Sequence, residues 1–159
     1  MLKVTCNIST GDVEAFIKKA ETHVMDCMKE ALVNLCTECD QRARDNDGGW
    51  QNRTGNLRSS IGGAVYEKGE TYFTTEFAQV LNGSRGSAKG REMVQALASQ
   101  YTEAIVMTMV AGEDYAEKVE AMDSKDVIES TRLYAESVVM SRIEEAKEKA
   151  INDINSWQS

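Results

Sequence analysis

The sequence predicts an α+β fold: a long N-terminal helix, a mostly antiparallel sheet of about four strands carrying a short helical insertion, and a long C-terminal helix. Three observations predict it. Two stretches near the ends space their apolar residues by threes and fours. Between them lie short segments that alternate apolar and polar residues. Proline is absent from all 159 residues, so nothing of the kind that most reliably breaks a helix interrupts either stretch.

Taken in order, Leu2, Val4, Cys6 and Ile8 alternate with polar neighbours and read as a short strand over residues 2–8. Ser9, Thr10 and Asp12 offer caps for the helix that follows. Its stripe is Val13, Ile17, Ala20, Val24, Met28, Ala31, Leu35 and Cys39, running to about Arg44. At ~1.5 Å per residue that helix is close to 50 Å long, more than the width of a small domain. It must overhang the sheet or meet another subunit. Asn46-Asp47-Gly48-Gly49 ends it, and a polar loop runs to about residue 56. Ile61, Ala64 and Tyr66, then Thr71 to Phe77 beyond Lys68-Gly69, read as two strands joined by a tight turn. Residues 82–91, with Arg85, Lys89 and Arg91 and no acid, read as a flexible basic loop. Met93, Val94, Leu97, Ala98 and Tyr101 suggest a short helix. Ala104 to Val110 is the best strand of the chain. Asp123 and Ser124 can cap the last helix, whose stripe is Ile128, Ala135, Val139, Ile143, Ala146, Ala150, Ile154 and Trp157. One sheet cannot cover two stripes of that length, so the surplus implies partner chains.

Composition narrows the function. Twenty-six acidic against 18 basic residues leave a net charge of −8, the wrong sign for a dedicated nucleic-acid binder. With 42% hydrophobic residues the chain can build one real core. No apolar run approaches the roughly 18 residues that span a bilayer. The start, Met1-Leu2-Lys3-Val4-Thr5-Cys6, does not read as a secretory signal. The expectation is therefore a soluble intracellular protein without a membrane partner, whose Cys6, Cys27, Cys36 and Cys39 are free thiols.

Little points to chemistry. The single histidine, His23, gives a catalytic triad nothing to build on and reads as an ordinary helix residue. It shares a helix face with Cys27, but any further ligands would have to come from elsewhere in the chain. Cys36-Thr37-Glu38-Cys39 has the spacing of a redox pair or half a zinc site. It falls late in a helix, however, where the dipole raises a thiol pKa, and Cys27 lies ~13 Å away along the axis. Structural thiols are the simpler reading, with a thiol redox or zinc-binding module as the alternative. Glycines and Lys89 at 83–90 lack phosphate-loop spacing. Glu113, Asp114, Glu117 and Glu120 lack calcium-loop spacing. No catalytic residue, cofactor or metal is expected.

Two features point to assembly instead. Trp50 stands alone in a polar loop, where it either folds back onto the sheet or anchors a partner. Positive residues gather at Arg42–Arg58 and at Arg85, Lys89 and Arg91, whereas Glu113, Asp114, Glu117 and Glu120 form an acidic edge. Complementary sides on one subunit suit head-to-tail contact between identical chains, which can close into a ring.

Asn52-Arg53-Thr54-Gly55-Asn56-Leu57-Arg58-Ser59-Ser60-Ile61, followed about fifty residues later by Val110-Ala111-Gly112-Glu113-Asp114-Tyr115-Ala116-Glu117-Lys118-Val119-Glu120, resembles the tail-completion (head–tail connector) proteins of long-tailed double-stranded DNA bacteriophages. The resemblance spans roughly residues 15–121. It implies a phage or prophage virion structural protein, not an enzyme: a homo-oligomeric ring at the neck, between the head-side adaptor and the tail-tube proteins, assembled in the host cytoplasm. The basic loop would face a subunit boundary or the channel DNA. Another virion subunit on a related fold, for head closure or the minor capsid, is the nearest alternative. The motif residues also carry physical expectations. Gly55 would allow a positive φ or a close backbone approach. Leu57 and Ile61 would enter the core, and Arg58 would meet an acid such as Glu120. Tyr115 and Val119 would bury on the sheet, and Ala116 would leave room for close contact. The chain departs from the family pattern at Ala121-Met122, where a glycine is common, and in lacking the proline-containing segment before the last helix.

Overall fold

Ser9 opens the first helix: its hydroxyl accepts the backbone N–H of Asp12 at 3.1 Å, and α1 (Thr10–Asp45) runs 36 residues from there. The computed structural model describes residues 9–122 and 125–157. After α1 come a single turn α2 (Asn56–Ser59), strands β1 (Ile61–Glu67) and β2 (Glu70–Thr74), α3 (Ser84–Ala98), β3 (Ile105–Ala111), the short α4 (Ala116–Glu120) and α5 (Glu129–Ser156). The class is α+β, as the periodicities predict.

The sheet has three strands in the order β2-β1-β3, each pair antiparallel. About four were expected; the fourth, at residues 2–8, lies outside the described residues. Lys68 and Gly69 turn β1 into β2 with positive φ at both positions, the geometry that matches strand twist in a tight hairpin.

Central β1 is buried along nearly its whole length because both faces of the sheet are covered. On one face Val65 packs with Leu32 and Cys36 of α1, and with Val139 and Ile143 of α5 at its edge. On the other, Ala64 and Tyr66 pack with Phe77 and with Val94 and Leu97 of α3. Lys29, buried on α1, is anchored to Glu67 at the far end of β1, 3.1 Å away. Helices α1 and α5 run antiparallel: Glu38 meets Arg142, Glu30 meets Lys149, and Phe16 meets the ring of Trp157. At ~1.5 Å per residue α1 is about 54 Å long, and its first turns reach past the end of α5.

Two expectations about element boundaries are corrected. Residues 82–91 are not an open loop; from Ser84 onward they form the first turns of α3. Glycine is there for proximity, not flexibility. A Cβ on Gly86 would strike the carbonyl of Asn56, and one on Gly90 would strike the ring of Phe77. The last helix begins at Glu129, and the expected caps, Asp123 and Ser124, lie outside the described residues.

Candidate functional site

Both motifs arrive at one end of the sheet because β1 begins where β3 ends, with Ile61 opposite Ala111. Ser60 links them directly. Its carbonyl accepts the N–H of Gly112 at 3.1 Å, and its hydroxyl accepts the N–H of Glu113 at 3.3 Å.

The first motif builds a tight turn. Thr54 Oγ1 accepts the N–H of Asn56 at 3.3 Å. Gly55 stands at φ +80°, and a Cβ there would collide with the Val80 carbonyl, so both the conformation and the space require glycine. Leu57 and Ile61 point into a core shared with Ala43, Ala116 and Val127. Val119 is half-buried against that core, whereas Tyr115 stays 37% exposed, contrary to the expectation that it would bury. It lies at the start of a short helix whose inward position is taken by Ala116.

Contrary to the expectation, Arg58 and Glu120 do not pair with each other; each holds the end of a different long helix. Arg58 donates to the carbonyl of Arg44 and, at 3.0 Å, to that of Asn46, while its guanidinium lies 5.1 Å from the centre of the Trp50 ring. A cation on the last carbonyls of α1 suits the negative end of its dipole. Glu120 accepts the N–H groups of Val127 (2.8 Å), Ile128 (3.0 Å) and Glu129 (3.1 Å), capping α5 from outside that helix. Ile128 at the N-cap position cannot make such bonds with its own side chain.

Asp126 ties the two ends together. Asn46 donates to its carboxylate at 2.6 Å, Ser130 N–H donates to it at 3.1 Å, and Trp50 Nε1 donates to its backbone carbonyl at 3.2 Å. Burial alone pushes this carboxyl up, but the bonds from Ser130 and Asn46 outweigh it and hold it below the ordinary value. Trp50 therefore folds back: it is half-buried between Arg58 and the core. One edge remains available. Trp50, Arg53, Leu57, Tyr115, Val119 and Met122 are among the residues lining a cleft of about 650 Å³ between the motifs.

Four members of the two charge clusters pair within the subunit. Glu113, with its side chain wholly buried, receives Arg85 at 3.0 Å and Lys89 at 3.4 Å, and Lys89 also pairs with Asp114. The hydrogen bond to Lys89 holds the Asp114 carboxyl below its usual value. Arg91 donates to the Glu76 carbonyl at 2.8 Å; Glu117 is exposed. Arg85, Lys89, Glu113 and Asp114 thus dock α3 against the β3–α4 connection within one subunit, while Arg85 and Asp114 keep most of their side chains exposed.

Cys36 and Cys39 are both fully buried. Burial, with a small push from nearby Cys39 and Asp40, raises the Cys36 thiol to about 12; burial likewise raises Cys39 to about 11. Both stay protonated at neutral pH, the opposite of what a redox nucleophile needs. What sequence reasoning missed is Asp153, which reaches His23 from 130 residues away and lies beside Cys27.

Among the described residues no helix is long and apolar enough to cross a membrane. In comparison with known proteins, the chain matches no family model, no curated protein and no solved structure.

Proposed function

We propose that the chain is a structural subunit of the head–tail junction of a long-tailed phage or prophage, forming a ring that completes the tail and joins it to the head. The observation that carries this reading is the ordered pair of motifs, whose residues converge on one junction and of which Arg58 and Glu120 each hold one long helix.

The apolar helix faces support a multi-copy role. Val13, Phe16, Ile17 and Met25 on α1 are exposed, as are Leu133, Met140 and Ile151 on α5. Phe16, Ile17, Val24 and Met25 line one apolar groove, and apolar surface of this kind marks contact with other chains. In a ring these faces meet sibling copies, and the cleft beside Trp50 and Tyr115 offers an aromatic edge to the adaptor or the tail tube.

The test is reconstitution. The full chain is followed by sedimentation velocity and negative-stain microscopy, alone and mixed with the tail-tube and head-side adaptor proteins of the same phage. The expected result is closed rings that bridge both partners. Monomers at every concentration, with both partners present, would refute the proposal. Binding to head proteins alone would shift the role to head closure or the minor capsid.

A further inference from the structure

Near the overhanging end of α1, three potential ligand atoms converge from two helices. His23 and Cys27 stand one turn apart on α1, and Asp153 reaches across from α5. His23 Nε2 lies 3.0 Å from Asp153 Oδ2 and 3.7 Å from Cys27 Sγ, and all three donor atoms fall within 4.8 Å of one another. We propose that these side chains form a divalent transition-metal site of the zinc type, clasping α1 to α5. This inference stands apart from the neck reading and survives or fails on its own.

The spacing fits. With bonds of about 2.0–2.1 Å to nitrogen or oxygen and about 2.3 Å to sulfur, a tetrahedral site has edges of about 3.3 Å between N and O and about 3.6 Å between N and S. The two measured separations bracket those edges. Asp153, whose side chain is 43% exposed, has the freedom to close the third.

The donor set fits as well. A neutral imidazole, a thiolate and a carboxylate suit a borderline-soft ion, and the two anions balance its double charge. Cys27 is 6% exposed and packs among Val24, Ala31, Ala146 and Ala150, an apolar shell in which a thiolate needs a cation beside it. On binding, the Cys27 thiol proton leaves to solvent, and coordination replaces the hydrogen bond between imidazole and carboxylate. The His23 ring is steadied by Trp157, whose ring centre lies 5.1 Å away at 60°. Cys27 also lines a cleft of about 260 Å³ between the helices, where Glu30, Glu38 and Glu145 outnumber the cations Arg142 and Lys149. Both cations of that cleft are engaged, Lys149 with Glu30 at 3.0 Å and Arg142 with Glu38 at 3.2 Å. Water completes the fourth position.

The test uses the full chain under reducing conditions. Zinc retained after desalting is counted by mass spectrometry, and cobalt titration is followed for the sulfur-to-metal absorption that marks a thiolate ligand. The expected result is one equivalent with that band, and a melting temperature raised by about 5–10 °C when free zinc is a hundredfold above the dissociation constant. Cys27→Ser abolishes the band although Cys36 and Cys39 remain, and Asp153→Asn weakens binding by at least about tenfold. Asp153 is partly exposed, so its variant keeps the fold, as circular dichroism would verify, and decides the matter if Cys27→Ser does not fold. Absence of stoichiometric metal in the wild type, or undiminished binding by Asp153→Asn, would reduce the trio to an ordinary hydrogen bond between helices.

Discussion

The two halves of α1 carry the same apolar periodicity and meet different surroundings. From Leu32 to Ala43 the stripe lies beneath the sheet and beside α5, and Leu35, Cys36, Cys39 and Ala43 are essentially inaccessible. From Val13 to Met25 the same spacing of threes and fours leaves Val13 at 44% and Ile17 at 49% exposure. Periodicity announces that a face will be covered. What covers it depends on elements far away in sequence, and for the first half of α1 the described residues supply only the tip of α5. Among the described residues the first half thus keeps its stripe open, whereas the second builds the subunit's own core; on the proposed reading, sibling copies cover the first.

Substitutions sharpen that contrast. The largest effect is expected from Leu35→Ala, which should cost about 2–5 kcal/mol of folding stability, read from denaturant midpoints. Ile17→Ser should stay within about 0.5 kcal/mol in the monomer. Equal losses at the two positions would show that the first half of α1 is core after all.

Next come the two charged residues that hold the helix ends. Arg58→Ala and Glu120→Ala should each cost about 1–3 kcal/mol, because each strips partners from backbone groups at a helix terminus. The double variant should show the sum of the two within about 0.5 kcal/mol. A large coupling energy would mean that the two side chains act as an ion pair. Arg58→Lys should rescue little, since one ammonium does not reproduce the planar fork that reaches two carbonyls.

The smallest effect is a pH dependence. Asp126 has a folded-state pKa below its unfolded value of ~3.9, so it contributes stability that is fully present above that pH and fades as pH falls through the folded value. Asp126→Asn should therefore be less stable than the wild type at neutral pH, with the gap narrowing below about pH 4 in acid titrations followed by circular dichroism. A gap that stays constant down the acid limb would remove the ionised carboxylate from the account.

Much of this architecture was legible in the residues. The spacing of Ala31, Leu35 and Cys39 announced a helix, the alternation at 105–110 announced a strand, and Lys68-Gly69 announced a hairpin. The failures share one cause: the information was tertiary. Gly86 and Gly90 read as a loop by composition, yet they sit in a helix because Asn56 and Phe77 press against it. Arg58 and Glu120 looked like natural partners until the ends of α1 and α5 claimed them. The acids at 113 and 114 looked like a docking edge, but their cations lie on α3, 24 to 28 residues earlier in the chain. Asp153 is 130 residues from His23, and no local pattern links them.

The most direct test of the central claim, that sibling copies cover the exposed first half of α1, is light scattering across a wide concentration range on the wild type and on a Val13→Ser/Ile17→Ser variant. The account predicts that the wild type gains mass with concentration toward a closed multiple of the subunit while the variant stays monomeric and fully folded. Identical mass curves for the two proteins would contradict it.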